Sequence, residues 1–232
     1  MWLIAQNHHT TLQAIVAVNP GIDMNNLYIG QIICVPQGYS SYQEPGLHHT
    51  MGVSRAEEVL SNHMRLLWEQ HVYWTRLVIL SIAFGLPDEE LVTNRLLRNP
   101  KDFDAAFSTF YGAEIAAKFA DLLTNHLTIA AELVKAAKAN NSTAAADAEK
   151  RWYANADQIA EFLGSINPYW SVQEWQKMLY DHLAMTKSEA VDILTGSYAD
   201  SITTFGNIER EALAMADMMT QGIVRQFPQY FR

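Results

Sequence analysis

An all-α helical bundle is the fold class this sequence predicts, preceded by a small α+β module, and three observations predict it. From Ser54 to the C-terminus apolar residues recur at steps of three and four, the period of a buried helix face. No stretch after residue 36 alternates with the period of two that a half-buried strand needs. The breaks between the apolar stripes carry helix punctuation: "GLPD" at 85–88, "NNST" at 140–143 and "INPYW" at 166–170.

The elements follow in order. "SRAEE" places Ser54 as an N-cap with Glu57 three residues on, the start of a helix over about 55–84. Its core stripe is Leu60, Met64, Leu67, His71, Trp74, Val78 and Ile82. A short helix over about 88–98 ends before Pro100, and a turn at 101–108 leads into a long helix over about 112–139. That helix carries Phe119, Leu122, His126, Ile129 and Leu133 on one line. The next, about 143–164, carries Trp152, Asn155, Ile159 and Phe162. Another runs from Ser171 to about 184 with Trp175, Leu179 and His182 inside, and "TKSEAVDILTG" continues or restarts it. The last covers about 198–226.

Three histidines and an asparagine therefore fall on buried lines of four separate helices. An internal echo links them. "WEQHVYWTRLVILS" and "WYANADQIAEFLGS" share Trp, then His71 or Asn155 three residues on, then a Ser. "LLTNHLTI" and "MLYDHLAM" share the surroundings of His126 and His182. Two pseudo-repeated helical hairpins plus a final helix account for this, and antiparallel packing would bring the four side chains to one layer. Such a layer has two readings. His71, His126 and His182, with Asn155 beside them, are a candidate site for a zinc, iron or nickel ion, with Glu69, Asp157, Asp181, Glu209 and Asp217 as carboxylates to complete or orient it. Alternatively the layer is a buried polar network that fixes helix register. The Glu-x-x-His pairs of di-iron bundles are absent.

Composition narrows the rest. The 232 residues carry a net charge of −9, so an acidic surface argues against nucleic acid as a partner. The longest apolar run, "LVILSIAFGL" at 77–86, is too short to span a membrane. The single cysteine, Cys34, excludes an internal disulfide and a cysteine-rich zinc site, and "QIICVP" reads as a strand that buries it. No basic segment followed by an apolar stretch and a cleavage site opens the chain. Nucleophile-elbow, phosphate-loop and paired-carboxylate motifs are also missing, which leans away from an enzyme without deciding the matter.

The N-terminal 37 residues stand apart. Trp2-Leu3-Ile4-Ala5, then "TTLQAIVAVNP", then "NNLYIGQIICVP" follow one another in the order and spacing of a first helix, a second helix with an Asn-Pro stop, and a loop with a closing strand over 31–35. Leu12, Ile15 and Val16 form the face of the second helix. This stretch closely resembles a LysM domain. The family has a first strand before the Trp, and this chain starts at it, so the expected start lies upstream, the alternative being a relic module. The resemblance implies binding of N-acetylglucosamine glycans such as peptidoglycan, with Asn19, Pro20, Gly21, Leu27, Tyr28, Gly30 and Gln31 as the surviving wall of the groove.

The expected organisation is a truncated LysM module at 1–37, a linker at 38–52 and the bundle at 53–232. The helical part resembles helical proteins of Gram-positive bacteria. The implied function is glycan binding at the cell wall or spore envelope by a protein made in the cytoplasm or mother cell, with a structural or partner-binding bundle that is open to homo-oligomerisation. The alternative is a metal-binding bundle, with or without enzyme activity.

Overall fold

The computed structural model describes residues 12–20, 33–36 and 53–232. The chain divides into two compact units, Met1–Met51 and Gly52–Arg232. In the first, helix α1 spans Leu12–Val18 and stops at Asn19-Pro20. Ile15 is buried, whereas Val16 is exposed, so the expected α1 face includes less than the sequence pattern proposed. Asn19 is buried and its amide is fully used. Nδ2 donates to the carbonyls of Ile15 and Cys34, and Oδ1 accepts from the Cys34 N–H, each at 2.7 Å. The side chain thereby supplies to Cys34 both hydrogen bonds that a neighbouring strand would offer.

Residues 33–36 form neither helix nor strand, contrary to the strand read from "QIICVP". Cys34 is exposed rather than buried, which corrects the expectation of a small core hydrophobe. The β-propensity of Ile-Ile-Cys-Val is a preference for a pleated, half-covered surface, and propensity alone does not create one.

The second unit is the expected all-α bundle. Helices α2 (Arg55–Phe84), α3 (Glu89–Leu96), α4 (Asn99–Tyr111), α5 (Ala113–Lys138), α6 (Ser142–Ile166), α7 (Val172–Thr195) and α8 (Tyr198–Gln226) are followed by a 3₁₀ turn at Pro228–Tyr230. Ser54 caps α2 by accepting the Glu57 N–H at 3.2 Å. Gly85 and Gly196 end α2 and α7 at φ of 62° and 84°, left-handed positions that a side chain would strain. Helix α7 runs unbroken through "TKSEAVDILT", because nothing between Ser171 and Gly196 removes a backbone donor.

One element differs from the sequence reading. The stretch read as a turn at 101–108 belongs to helix α4, which begins at Asn99 with Pro100 in its first turn. A proline there costs nothing, since its missing N–H is one a helix start leaves unbonded anyway. Pro100 starts this helix as well as stopping the one before.

The five long helices form a closed ring: α2 packs on α5, α5 on α6, α6 on α7, α7 on α8, and α8 back on α2. Helix α4 packs along α5. Residues that follow His71, His126 and His182 on α2, α5 and α7 line one end of the ring together with residues that precede Asn155 on α6. The first three helices therefore run one way and α6 runs back. Arg65 pairs with Asp217 while Arg76, further along α2, reaches the Ser201 carbonyl, so α8 also runs opposite to α2. The core falls into two apolar clusters. The larger includes Met64, Trp68, Phe103, Phe119, Ile159, Trp175 and Met215. The smaller includes Val78, Ile79, Leu127, Val134, Ala190 and Ile193. On each histidine-bearing helix the smaller cluster lies entirely beyond the histidine, while the larger one extends on both sides of it.

Candidate metal centre

Each histidine reaches the middle of the ring because its own stripe carries it there. Seven residues before them, Met64, Phe119 and Trp175 are completely buried; eight residues after, Ile79, Val134 and Ala190 are buried. A helix that buries both ends of such a stripe must bury its centre. His71, His126 and His182 are each 2% exposed. Their rings stand 6.2 Å (His71–His126) and 5.8 Å (His71–His182) apart between centroids. One ring nitrogen from each lies within 4.8 Å of the other two.

The hydrogen bonds fix which nitrogen that is. Asn99 donates from Nδ2 to the Leu67 carbonyl at 2.9 Å, so its Oδ1 faces Nδ1 of His71 at 3.2 Å. Asn155 donates from Nδ2 to the Leu122 carbonyl at 3.1 Å, and its Oδ1 faces Nδ1 of His126 at 2.9 Å. Leu67 and Leu122 each precede their histidine by four residues, so one clamp is built twice. In the third position Glu211 presents Oε2 to Nδ1 of His182 at 3.0 Å. An amide oxygen or carboxylate only accepts, so every Nδ1 carries a proton, and Nε2 is the nitrogen left with a lone pair in the neutral ring. The three remaining ring nitrogens converge in the buried interior of the ring.

Burial, with the neighbouring histidines adding to it, disfavours the charged form of His71 and His126. His71 is held well below the usual imidazole range, and His126 is pushed down to about 3. Neutral imidazoles held by an oxygen at the far nitrogen are what a first-row divalent ion requires. A tetrahedral zinc with Zn–N of about 2.1 Å sets nitrogens roughly 3.4 Å apart, so the triad has to draw in by about 1.4 Å at most.

Asn155, expected beside the histidines as a ligand, has both ends of its amide occupied and positions His126 instead. None of the five expected carboxylates is seen at the triad. Asp157 accepts from Gln176 and Tyr180, Asp181 pairs with Lys177, and Asp217 pairs with Arg65. Glu69 is exposed and Glu209 half-buried. The carboxylate that does reach is Glu211, two residues beyond Glu209, and two helical residues turn a side chain by about 200°. A spacing signal could have found it. The partners lie 28, 29 and 29 residues after their histidines. The histidines are 55 and 56 residues apart, and Asn99, Asn155 and Glu211 are spaced by 56. The repeat is thus threefold, and it sets Asn155 equivalent to Asn99 and Glu211 rather than to His71 as the sequence echo had it: α8, read from sequence as the final helix, pairs with α7 as α6 pairs with α5.

Unpartnered polar atoms gather at the same place. Six buried side-chain nitrogens or oxygens lack a hydrogen bond among the described residues: Nε1 of Trp68, Trp152 and Trp175, Oγ1 of Thr186, Oε1 of Glu211 and Nη1 of Arg95. Trp68 and Trp152 touch the rings of His71 and His126 at 5.4 Å, and Trp175 stacks on Trp68. Glu211 holds His182, and Thr186 follows it by one helical turn. Native interiors leave few such groups without a partner, and the tryptophans beside His71 and His126 and the carboxylate beside His182 are among them here. Further along the ring Arg76 forms a buried ion pair with Glu189, whose carboxyl burial pushes up against the pull of Arg76.

In the first unit, Asn19 and Pro20 are the described members of the expected glycan wall, one buried and one exposed. Gly21, Leu27, Tyr28, Gly30 and Gln31, like the expected linker, lie outside the described residues. Among the described residues no helix is long and apolar enough to cross a membrane. No curated protein and no solved structure matches the chain. Residues 1–36 match the LysM domain family, so the N-terminal stretch is similar to that glycan-binding module.

Proposed function

We propose that this protein is a metal-binding helical domain carried by a glycan-binding LysM module. The LysM match supports binding of peptidoglycan or a related N-acetylglucosamine glycan, and with it a place in the cell wall or spore envelope. The bundle binds one divalent first-row ion, zinc, iron or nickel, through Nε2 of His71, His126 and His182. The observation that carries this reading is the convergence of three ring nitrogens within 4.8 Å while each Nδ1 is tied to its own acceptor. A polar layer serving only helix register has no need to aim three acceptors at one point, where they repel one another. Asn99, Asn155 and Glu211 orient the rings. An ion held by three protein ligands supplies Lewis acidity at its open positions.

The test is elemental analysis of untagged protein purified without chelators, beside His126→Ala and His182→Ala. Close to one ion per chain, lost in both variants, is expected. Protein that stays metal-free when offered zinc, iron and nickel in turn returns the histidines to a structural polar layer. Co-sedimentation of the chain with purified peptidoglycan checks the LysM part separately.

A further inference from the structure

We infer that the cavity beyond the triad is a binding site for a small uncharged molecule with one straight aliphatic chain. The cavity has a volume of about 270 Å³ and is lined by α2, α3, α5, α6 and α7. None of the three histidines lines it, so the site is independent of the ion. Its inner end is formed by Val78, Ile79, Leu96, Leu127 and Val134, all buried. Its mouth lies between α6 and α7, where Ala146 and Val191 are exposed and Glu149 pairs with Lys187 at 2.6 Å.

The threefold repeat explains why the space is there. Seven residues after His71 and His126 come Val78 and Leu133, and eight residues after come Ile79 and Val134. All four are wall residues. The matching positions on α7 are Glu189 and Ala190. Glu189 is drawn away to pair with Arg76, and Ala190 stays in the wall with a much shorter side chain than Ile79. Helix α6 adds Ala145 and Ala146. One helix therefore withholds two apolar side chains that the repeat supplies elsewhere, and the neighbours do not close over the gap. Close-packed interiors seldom leave a void of this size, because every missing contact costs dispersion energy.

Volume and polarity choose the ligand. An apolar cavity of roughly 150 Å³ accepts benzene, so this one has room for a chain of about ten carbons. The polar groups along its inner wall offer nothing to a ligand. Thr75 donates its hydroxyl to the His71 carbonyl at 2.7 Å. The Trp152 indole nitrogen and the Thr186 hydroxyl are buried and turned from the open space. A polar group at the inner end of a ligand would lose its water and find no partner. At the mouth Lys187 and Glu149 neutralise each other, so a charge of either sign gains little there. What fits is an aliphatic chain, apolar to its tip, with at most one uncharged polar group left at the mouth beside the exposed Ser142.

The experiment titrates the full chain with 1-octanol, 1,8-octanediol and octanoate, followed by calorimetry and by tryptophan fluorescence. 1-Octanol should bind at one site per chain and raise the melting temperature, as a ligand of the native state must. The diol should bind roughly ten- to a hundredfold more weakly, because its inner hydroxyl is buried without a partner. Octanoate should bind about tenfold more weakly or worse, since its charge gives up water for a neutral mouth. Ala190→Ile puts back the residue that the repeat carries at Ile79. It should fill the space and abolish 1-octanol binding without loss of stability. Ala130→Leu repeats the test from α5 if the first variant does not fold. The inference is overturned if 1-octanol shows no saturable binding, if the diol or octanoate binds as tightly, or if the folded cavity-filling variants bind 1-octanol undiminished.

Discussion

Asn155 and Asn99 show how much depends on a single side chain that touches no ligand. Each amide has one orientation open to it, because its NH₂ is taken by a helix carbonyl, and that orientation dictates the histidine tautomer. Asn155→Leu leaves His126 in place but frees its ring to turn and to exchange tautomers. Metal affinity should fall by about 10–100-fold, the usual effect of losing a partner behind a ligand. Competition against a zinc chelator measures it, and an unchanged affinity would mean that His126 is not a ligand. The sequence put Asn155 at the right depth but among the metal ligands, since spacing gives the face of a helix and not the direction of an amide. Glu211 was missed for a related reason. Acidic residues crowd α8, and only the observed rotation separates Glu211 from Glu209.

Helix α8 gives the test at the level of one element. A Cβ at Gly222 would fall 1.8 Å from Nε1 of Trp170, which donates to the Met218 carbonyl at 3.1 Å. The indole lies across the helix where only glycine leaves room, and its other neighbours, Phe107 and Trp175, hold it there. Gly222→Ala should destabilise the unit by about 1–3 kcal/mol, the range for overpacking a filled core. Gly206, on the same helix, has nothing nearer than 4.0 Å to an added Cβ. Gly206→Ala should therefore stabilise by about 0.5–1 kcal/mol through helix propensity alone. Urea unfolding of the two variants should move in opposite directions, and a common direction would contradict the packing of Trp170. The element that the sequence misjudged, α4, illustrates the same limit: Asn-Pro signals a break, and whether a helix starts or ends there depends on what packs against it.

At the scale of the whole molecule, the polar layer makes the metal-free fold sensitive to acid. His71 and His126 lie below the ordinary value of 6.5 when folded and return to it on unfolding. Between those values the unfolded chain binds more protons, so stability rises with pH. The contribution is complete above about 6.5 and is lost as pH falls toward 3. Lowering the pH from 7 to 5 should remove about 2 kcal/mol for His126, with His71 acting in the same direction. His182 from α7 and Glu211 from α8 face the same layer, and Arg76 and Glu189 lie further along the ring. Chemical unfolding of chelator-treated protein across this range checks the slope, and replacing both rings by glutamine should flatten it.

The sequence by itself determined the bundle, the course of its long helices, and the depth of the three histidines and Asn155. All of these follow from apolar periodicity, which is local and survives in the one-dimensional string. It also marked the LysM-like N-terminal stretch from the order of short segments. Only the tertiary structure decided that Asn99, Asn155 and Glu211 are the three partners, that Nε2 is the nitrogen turned inward, and that an apolar pocket lies one helical turn beyond the triad. Those properties depend on side chains about 28 residues or more apart meeting at fixed angles. Periodicity specifies which way a residue faces, and packing specifies what it meets.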